Sequence, residues 1–488
     1  MDWPPPKETP PQPRPTWLSQ AQGSDVERTR AMVLIVTTLG GFLVTFMTSA
    51  TNIALPRIEA DFHVSAVTLS WISLSYILVA GATMLPAGRL SDYFGRMRAF
   101  TFGMVIFTVL SFASAFAPSA GFLIVLRAVH GLSLALGMVN ATSLVILAYP
   151  PESRGKALGL NVAGIYLGLT LGPVLGGVII HDLGWRSLFV VVGVLGVVNL
   201  ILSMWKLRGV EWREPKPSSF DVLGSVISAG SLTSLLLGFS LLPDLIGAVL
   251  IAVGVVSLVS FLWWETKATD PLLPVDMLRR NRVFAFSGVA AFINYSATAA
   301  MIFLMSLYLQ YNRGLNAETA GFILVSGTFF QTTFSPLAGR LVDRVQARFV
   351  ATGGMAVCML GLLALSFVGE TTSYWYVIVV LCAIGLGIAF FSSPITHAVM
   401  GSVEQRSVGI ASATLAAMRL TGQNISMGLA TLVLALEVGR RAIQPSDYPH
   451  VLTSVRVTFL IFTALCVFGV AASMVGPRRG VSEAGGSN

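Results

Sequence analysis

Apolar residues run along this chain in long unbroken stretches, divided by short polar segments rich in Gly, Pro and Arg. A hydrocarbon layer of roughly 30 Å needs about 20 apolar residues in a helix, and only helices or closed barrels satisfy their backbone groups there. Runs this long predict helices. They fall near 32–55, 67–87, 99–117, 121–148, 157–180, 187–205, 222–242, 245–264, 283–309, 319–338, 349–369, 374–400, 407–436 and 457–476.

The polar segments between the runs alternate in charge, which gives the orientation. With the N-terminus in the cytoplasm, 23 of the 31 Lys and Arg fall in inner segments, six in outer ones, and two, Arg127 and Arg419, inside spans. Cationic loops are retained on the cytoplasmic side, so a multi-pass protein of the cell membrane with both termini cytoplasmic is expected.

A partial repeat sets the architecture. The segment Leu85 to Arg96, LPAGRLSDYFGR, returns as PLAGRLVDRVQAR from Pro336 to Arg348, each following an outward-to-inward helix. Parallel halves related by an axis along the membrane normal are a transporter architecture. The expected fold is therefore an all-α polytopic membrane protein with two pseudo-symmetric six-helix bundles and an inserted helix pair. The expected boundaries are a Pro-rich tail over 1–30, a bundle over 31–208, a linker with the inserted pair over 209–282, a second bundle over 283–476 and a tail over 477–488.

Composition agrees and removes other classes. The chain of 488 residues is 54% hydrophobic and only 11% charged, and its mean hydropathy is +0.77. Soluble chains carry about 25% charged residues, so a soluble enzyme is excluded, and the same figures exclude a disordered chain. The net charge of +8 is parcelled out between spans and not gathered on one face, which argues against a nucleic-acid partner. Cys358, Cys382 and Cys466 have no ligand-like spacing, and no nucleotide-binding GxxxxGKS loop occurs, so neither a metal nor another cofactor is expected.

Three motifs carry the mechanical expectations. In the first, Gly88, Arg89, Asp92, Gly95 and Arg96 form an inner loop in which Asp92 and Arg96 make a gate latch, partly copied at Gly339 and Asp343; glycine permits the turn and an Asp meets a helix macrodipole or a neighbouring Arg. In the second, LRAVHG, Arg127 lies some 9 Å into its span at about 1.5 Å per residue, where a membrane Arg marks a functional site facing a cavity. His130, three residues on, shares its face and is a candidate proton carrier because imidazole titrates near pH 6.5. The third, GIYLGLTLGPVLGG, sets Gly168, Gly172, Gly176 and Gly177 around Pro173 as a small-residue seam that a proline lets bend.

With NIALP at Asn52 to Pro56, GWRSLF at Gly184 to Phe189 and DPLLPVDMLRRNRVF before the ninth span, these motifs resemble the major facilitator superfamily in its fourteen-span drug/proton antiporter branch. The resemblance spans about Ala31 to Val475. It implies alternating access between two bundles, a central cavity, and drug export coupled to proton entry. It also implies an Asp five residues before the Asn of the first-helix motif. Met47 stands there instead.

That departure changes the expected substrate. Every one of the 23 Asp and Glu lies outside the fourteen windows, whereas Arg127 and Arg419 lie inside. A cavity with unpaired cations repels a cation and accepts an anion. The cavity candidates are Met47, Asn52, Arg127, His130, Arg419 and Asn424, with Tyr76, Asn140, Asn161, Tyr166, Asn294, Tyr295 and Gln331 as further mid-span polar groups.

Two readings of function follow. One is a secondary active exporter of amphipathic or drug-like molecules, acting as a monomer in the lipid bilayer with protons as coupling ion. The other is a differently coupled carrier of neutral or anionic metabolites or lipids. A membrane-bound lipid-modifying enzyme would gather acids, bases or metal ligands at one interface; here they are scattered, so no catalytic residue is expected.

Overall fold

The computed structural model describes residues 23–207, 210, 221–242, 244–268, 272, 278–279, 281–342, 345–403, 408–439 and 442–474. Among them the chain forms fourteen long helical segments: α1 Gly23–Phe62, α2 Ala66–Phe94, α3 Arg96–Ala115, α4 Ala120–Ala148, α5 Pro151–Leu183, α6 Trp185–Lys206, α7 Val222–Leu241, α8 Leu245–Glu265, α9 Arg282–Asn312, α10 Ala317–Val342, α11 Ala347–Leu365, α12 Tyr374–Gly401, α13 Val408–Glu437 and α14 Tyr448–Ser473. Twelve are long and apolar enough to cross a membrane. The chain is thus an all-helical polytopic membrane protein.

The two helices outside that set, α10 and α13, carry Gln331, Thr332, Arg419, Gln423 and Asn424 along their middles. They also make the main contacts between the first and second halves of the chain, α10 against α5 and α13 against α2. Their low hydropathy and their position have one cause: polar groups buried at a helix seam are compensated there and would be uncompensated against lipid.

Several expected boundaries move. Helix α2 continues to Phe94, so Gly88, Arg89 and Asp92 are helical and only Gly95, with φ of 106°, makes the turn into α3. Likewise α10 continues through Gly339 to Val342. Once nucleated, a helix extends at one hydrogen bond per residue, so it outlasts the apolar run that announced it. Helix α14 starts at Tyr448, with Pro449 in its first turn, where a missing N–H costs nothing. Arg456, expected in a loop, is therefore helical, and its Nε donates to the Val368 carbonyl at 2.6 Å just beyond α11.

The expectation that no carboxylate enters a span is also corrected. Helix α1 runs to Phe62 and places Glu59 inside it, 7% exposed. Helix α8 ends on Glu265, 3% exposed. Among the described helices the carboxylates still keep to the terminal turns, and the middles hold none.

Helix α9 is broken. It is α-helical over Arg282–Thr298 and Met301–Leu307 and closes with a π-helical turn at Tyr308–Asn312. The break is held by α13, whose Ser426 Oγ accepts from the Ala300 N–H at 3.0 Å. A freed backbone donor in a membrane helix needs such a partner.

Packing repeats along the chain. In the first half α1 packs on α4, α5 and α6, α2 on α4, and α3 on α4 and α6; in the second, α9 packs on α12, α13 and α14, α10 on α12, and α11 on α12 and α14. Each pair recurs eight helices later. Helices α7 and α8 pack on each other, and α7 also lies against both α2 and α13.

Candidate functional site

Arg127 is sealed inside the first half. It is 1% exposed. Its Nε donates to the Ile72 carbonyl of α2 at 3.3 Å, its guanidinium lies 4.1 Å from the Tyr76 ring centroid, and Nη1 has no acceptor among the described residues. The close approach of α4 to α2 is set one turn later, where a Cβ on Gly131 would press on the Tyr76 carbonyl and stand 3.0 Å from the Ala80 nitrogen. His130, wholly buried, meets Tyr76 and Phe107 edge-on at 5.7 Å and 4.8 Å between centroids. Neither of its ring nitrogens has a hydrogen-bond partner among the described residues.

An uncompensated buried donor lowers stability, and exchanging a buried ion for apolar volume is often neutral or stabilising. Arg127→Met keeps the long stem and removes the charge. We expect the variant to unfold at a temperature equal to or above that of the parent in a detergent thermal-shift assay, about 1–3 kcal/mol more stable at most, while transport falls at least tenfold. A variant that is strongly destabilised would make Arg127 a structural post.

Arg419 sits where the two halves face one another. It is half-buried near the middle of α13; Nη2 donates to Thr396 Oγ1 of α12 at 2.6 Å, Cζ is 5.6 Å from the Tyr295 ring centroid on α9, and the buried Nε has no acceptor among the described residues. Tyr166, from α5 in the other half, lies near Ser392 and Gln331 and within electrostatic reach of Tyr295 and Arg419. Five helices thus converge on a partly exposed guanidinium and two phenol rings. Aromatic faces and one cation form a surface on which a flat molecule can lie.

Two seams flank this cluster. At α5–α10 the Thr170 hydroxyl lies 3.3 Å from the Thr328 carbonyl and 3.0 Å from the Thr332 hydroxyl. At α2–α13 Asn424 Nδ2 donates to the Ile77 carbonyl at 3.2 Å and packs against Gly81. These are one contact made twice. The spacing from Gly88 to Gly339 is also that from Ile77 to Thr328 and from Gly81 to Thr332, and the spacing from Gly131 to Gly385 is that from Thr170 to Asn424.

Beyond the level of these contacts, the hydrogen bonds that join the halves among the described residues run in one direction. Thr431 Oγ1 donates to Ser70 Oγ at 2.9 Å, Ser306 Oγ to the Asn52 carbonyl at 3.0 Å, and Gln310 Nε2 to the Ile53 carbonyl at 3.3 Å. At the far end the Tyr311 hydroxyl donates to Glu59 Oε2 at 3.1 Å, and Ser65 bridges Ala442. Three of these groups come from the end of broken α9, and a π-turn there is a common mark of a functional segment. This capped end is also where Trp185 and Arg186 of the GWRSLF motif both donate to Asp61 at 2.8 Å, tying α6 to α1.

The small-residue seam divides its work. Gly168, Gly172 and Gly176 face α1 within their own half, where a Cβ on Gly172 would stand 2.6 Å from Ser49 Cβ. Gly177 and the Pro173 carbonyl face α10, meeting Ala317 and Gly321. Met47 is wholly buried in the core, and Asn52 accepts from Ser73 Oγ at 2.7 Å. Asn140, Asn161 and Asn294 bridge helices inside one half, to Ser91, to Thr37 and Thr38, and to Met355. Of the expected latch, Arg96 opens α3 and Gly339 lies against Ser393; Asp343 and the Asp92 side chain lie outside the described residues. Thr170, Thr328, Thr396 and Glu59 had escaped the sequence reading. A hydroxyl that can satisfy its own helix gives no signal, and Glu59 sat just past an apolar run.

The chain matches the family described as Major Facilitator Superfamily over residues 37–430 and 287–486. It is 30% identical over 419 residues to "Multidrug resistance protein Stp" of Mycobacterium tuberculosis (strain CDC 1551 / Oshkosh), covering 84% of this chain and 77% of the relative. To "Riboflavin transporter RibZ" of Clostridioides difficile (strain 630) it is 29% identical, covering 82% and 86%. To "Tetracenomycin C resistance and export protein" of Streptomyces glaucescens it is 26% identical, covering 83% and 76%.

Proposed function

The chain belongs to the Major Facilitator Superfamily, whose members are transporters and not enzymes, and from that premise we propose that this secondary transporter exports amphipathic small molecules across the cytoplasmic membrane by alternating access. The observation that carries the proposal is the pairing of the seams. Contacts at Thr170 and Asn424 occupy equivalent places in two diagonal interfaces, and every cross-half contact described above lies at their level or toward one end. Halves joined that way can separate at the capped end while meeting at the other, which is the rocking that repeated-half transporters use.

In this reading the bundles are 31–208 and 283–476, and the inserted pair of segment 209–282 meets the α2–α13 seam through α7. The termini and the open end face the cytoplasm, as the loop charges favour. The contacts at Thr170 and Asn424 form the pivot, the Pro173 and Gly177 contacts with α10 lie on the side that opens, Asp92 with Arg96 is the inner latch, and Gly88, Gly95, Gly339 and Asp343 are its frame. Protons are the coupling ion, with His130 and Glu59, both buried in the first half, as the carriers. Two of the relatives described above are named for drug resistance or export, which supports the direction.

The test is transport by purified protein in proteoliposomes under an imposed pH gradient, with neutral, anionic and cationic aromatic dyes. Gradient-dependent movement of at least one dye is expected. Equal movement with and without the gradient would remove proton coupling, and movement of none would end the export reading.

A further inference from the structure

We propose that the central cluster selects planar aromatic anions, with Arg419 as the counter-charge and Tyr166 and Tyr295 as the walls. This deepens the export reading and rests on it.

The inference starts from charge. Arg419 has one hydrogen bond among the described residues, to a neutral hydroxyl, and its Nε is buried without an acceptor. No carboxylate among the described residues lies in the cluster; the surrounding groups from α5, α9, α10 and α12 are Tyr166, Tyr295, Gln331, Ser392 and Thr396. Glu59 is engaged at the capped end with Tyr311. A guanidinium presents five donors in a planar fork suited to carboxylate or sulfonate, and here most of the fork is unspent. Its desolvation is compensated in full only when an anion arrives. Arg127 cannot take that role, being 1% exposed and stacked on Tyr76.

Shape comes from the rings. Tyr166 belongs to the first half and Tyr295 to the second, so a flat ligand touching both bridges the bundles. An aliphatic anion would gain the charge contact and lose the stacking. Gln331 and Ser392 lie near the Tyr166 hydroxyl, which leaves the ring to serve as the contact surface.

The experiment uses full-length protein in phosphatidylcholine vesicles and three planar probes: fluorescein as anion, 7-amino-4-methylcoumarin as neutral, ethidium as cation. Fluorescein is expected to move with saturable kinetics. Arg419→Gln is expected to raise its half-saturation about tenfold to a hundredfold, the range for losing a hydrogen-bonded charge partner, with coumarin changed less than threefold and with Arg419→Lys recovering part of the loss. Unchanged coumarin transport and a monodisperse elution profile show that the Gln variant is folded. Preferred transport of ethidium, unaltered by Arg419→Gln, overturns the proposal while leaving the export reading intact. Inhibition by added phosphatidylglycerol without any movement of fluorescein overturns it in favour of a lipid headgroup site. Failure of all three probes overturns both.

Discussion

Cysteines placed at Ser70 and Thr431 and joined by oxidation are expected to stop transport, with more than 90% of the rate lost and recovered on reduction. The two hydroxyls are 2.9 Å apart across the α2–α13 seam at the capped end, so thiols there lie within reach of a disulfide, whose geometry demands close and well-aligned Cβ atoms. If the halves must part at this end in each cycle, a covalent tie holds the protein in one state. A bond of that strength cannot be opened by the few kcal/mol that separate conformations. Of the three native cysteines Cys358 and Cys466 are buried and Cys382 is partly exposed, so the experiment is done on Cys382→Ser. Initial dye efflux in oxidised and reduced vesicles gives the answer. A cross-linked protein with undiminished transport would mean that this seam does not open. A parallel pair in the single half, Thr101→Cys with Ser203→Cys, whose hydroxyls are 2.8 Å apart between α3 and α6, should leave the rate within about twofold, since a bundle that moves as a rigid body tolerates an internal staple.

Gly131→Leu is expected to prevent folding. Its Cβ would fall against the Tyr76 carbonyl, 3.0 Å from the Ala80 nitrogen and 3.0 Å from Val79 Cβ. Those are backbone atoms and a β-branched stem in a packed helix, so none can swing aside. Overpacking a core usually costs about 1–3 kcal/mol, and here the separation of α4 from α2 would also break the Arg127 contacts with Ile72 and Tyr76; a cost above about 3 kcal/mol is expected. Size-exclusion of a fluorescent fusion reads it as loss of the monodisperse peak. Gly385→Leu should behave alike, because Gly385 meets the Gly327 carbonyl in the second half as Gly131 meets Tyr76 in the first. Gly353→Leu, with open space around its Cβ and an exposed position, should elute as the parent does. Tolerance of leucine at Gly131 would show that the α2–α4 seam is looser than the packing indicates.

Both expectations turn on residues whose importance was unequally visible in the sequence. The helices were legible because a span is a local property: twenty apolar residues in a row are sufficient to name it. Even α10 and α13, too polar to qualify by composition alone, were found, since their apolar runs tolerate a few polar interruptions. The helix ends were less legible. Glu59 was placed outside because hydropathy fell after Pro56, yet backbone hydrogen bonding carried α1 on to Phe62 and turned that carboxylate toward Tyr311.

Arg127 and Arg419 show the boundary most clearly. Side by side in the sequence reading they are equivalent: one cation each, deep in a span, with no acid nearby. The fold separates them. Arg127 is covered by Ile72 and Tyr76, which the α2–α4 packing brings in from a neighbouring helix. Arg419 donates to Thr396 and lies within electrostatic reach of Tyr166, which belongs to the opposite half of the chain. Transfer free energy adds up residue by residue along the chain, so the sequence alone determined that this is a membrane protein and where its helices run. Whether a buried charge is covered or reachable depends on neighbours brought together across hundreds of residues, and that was decided only when the helices packed.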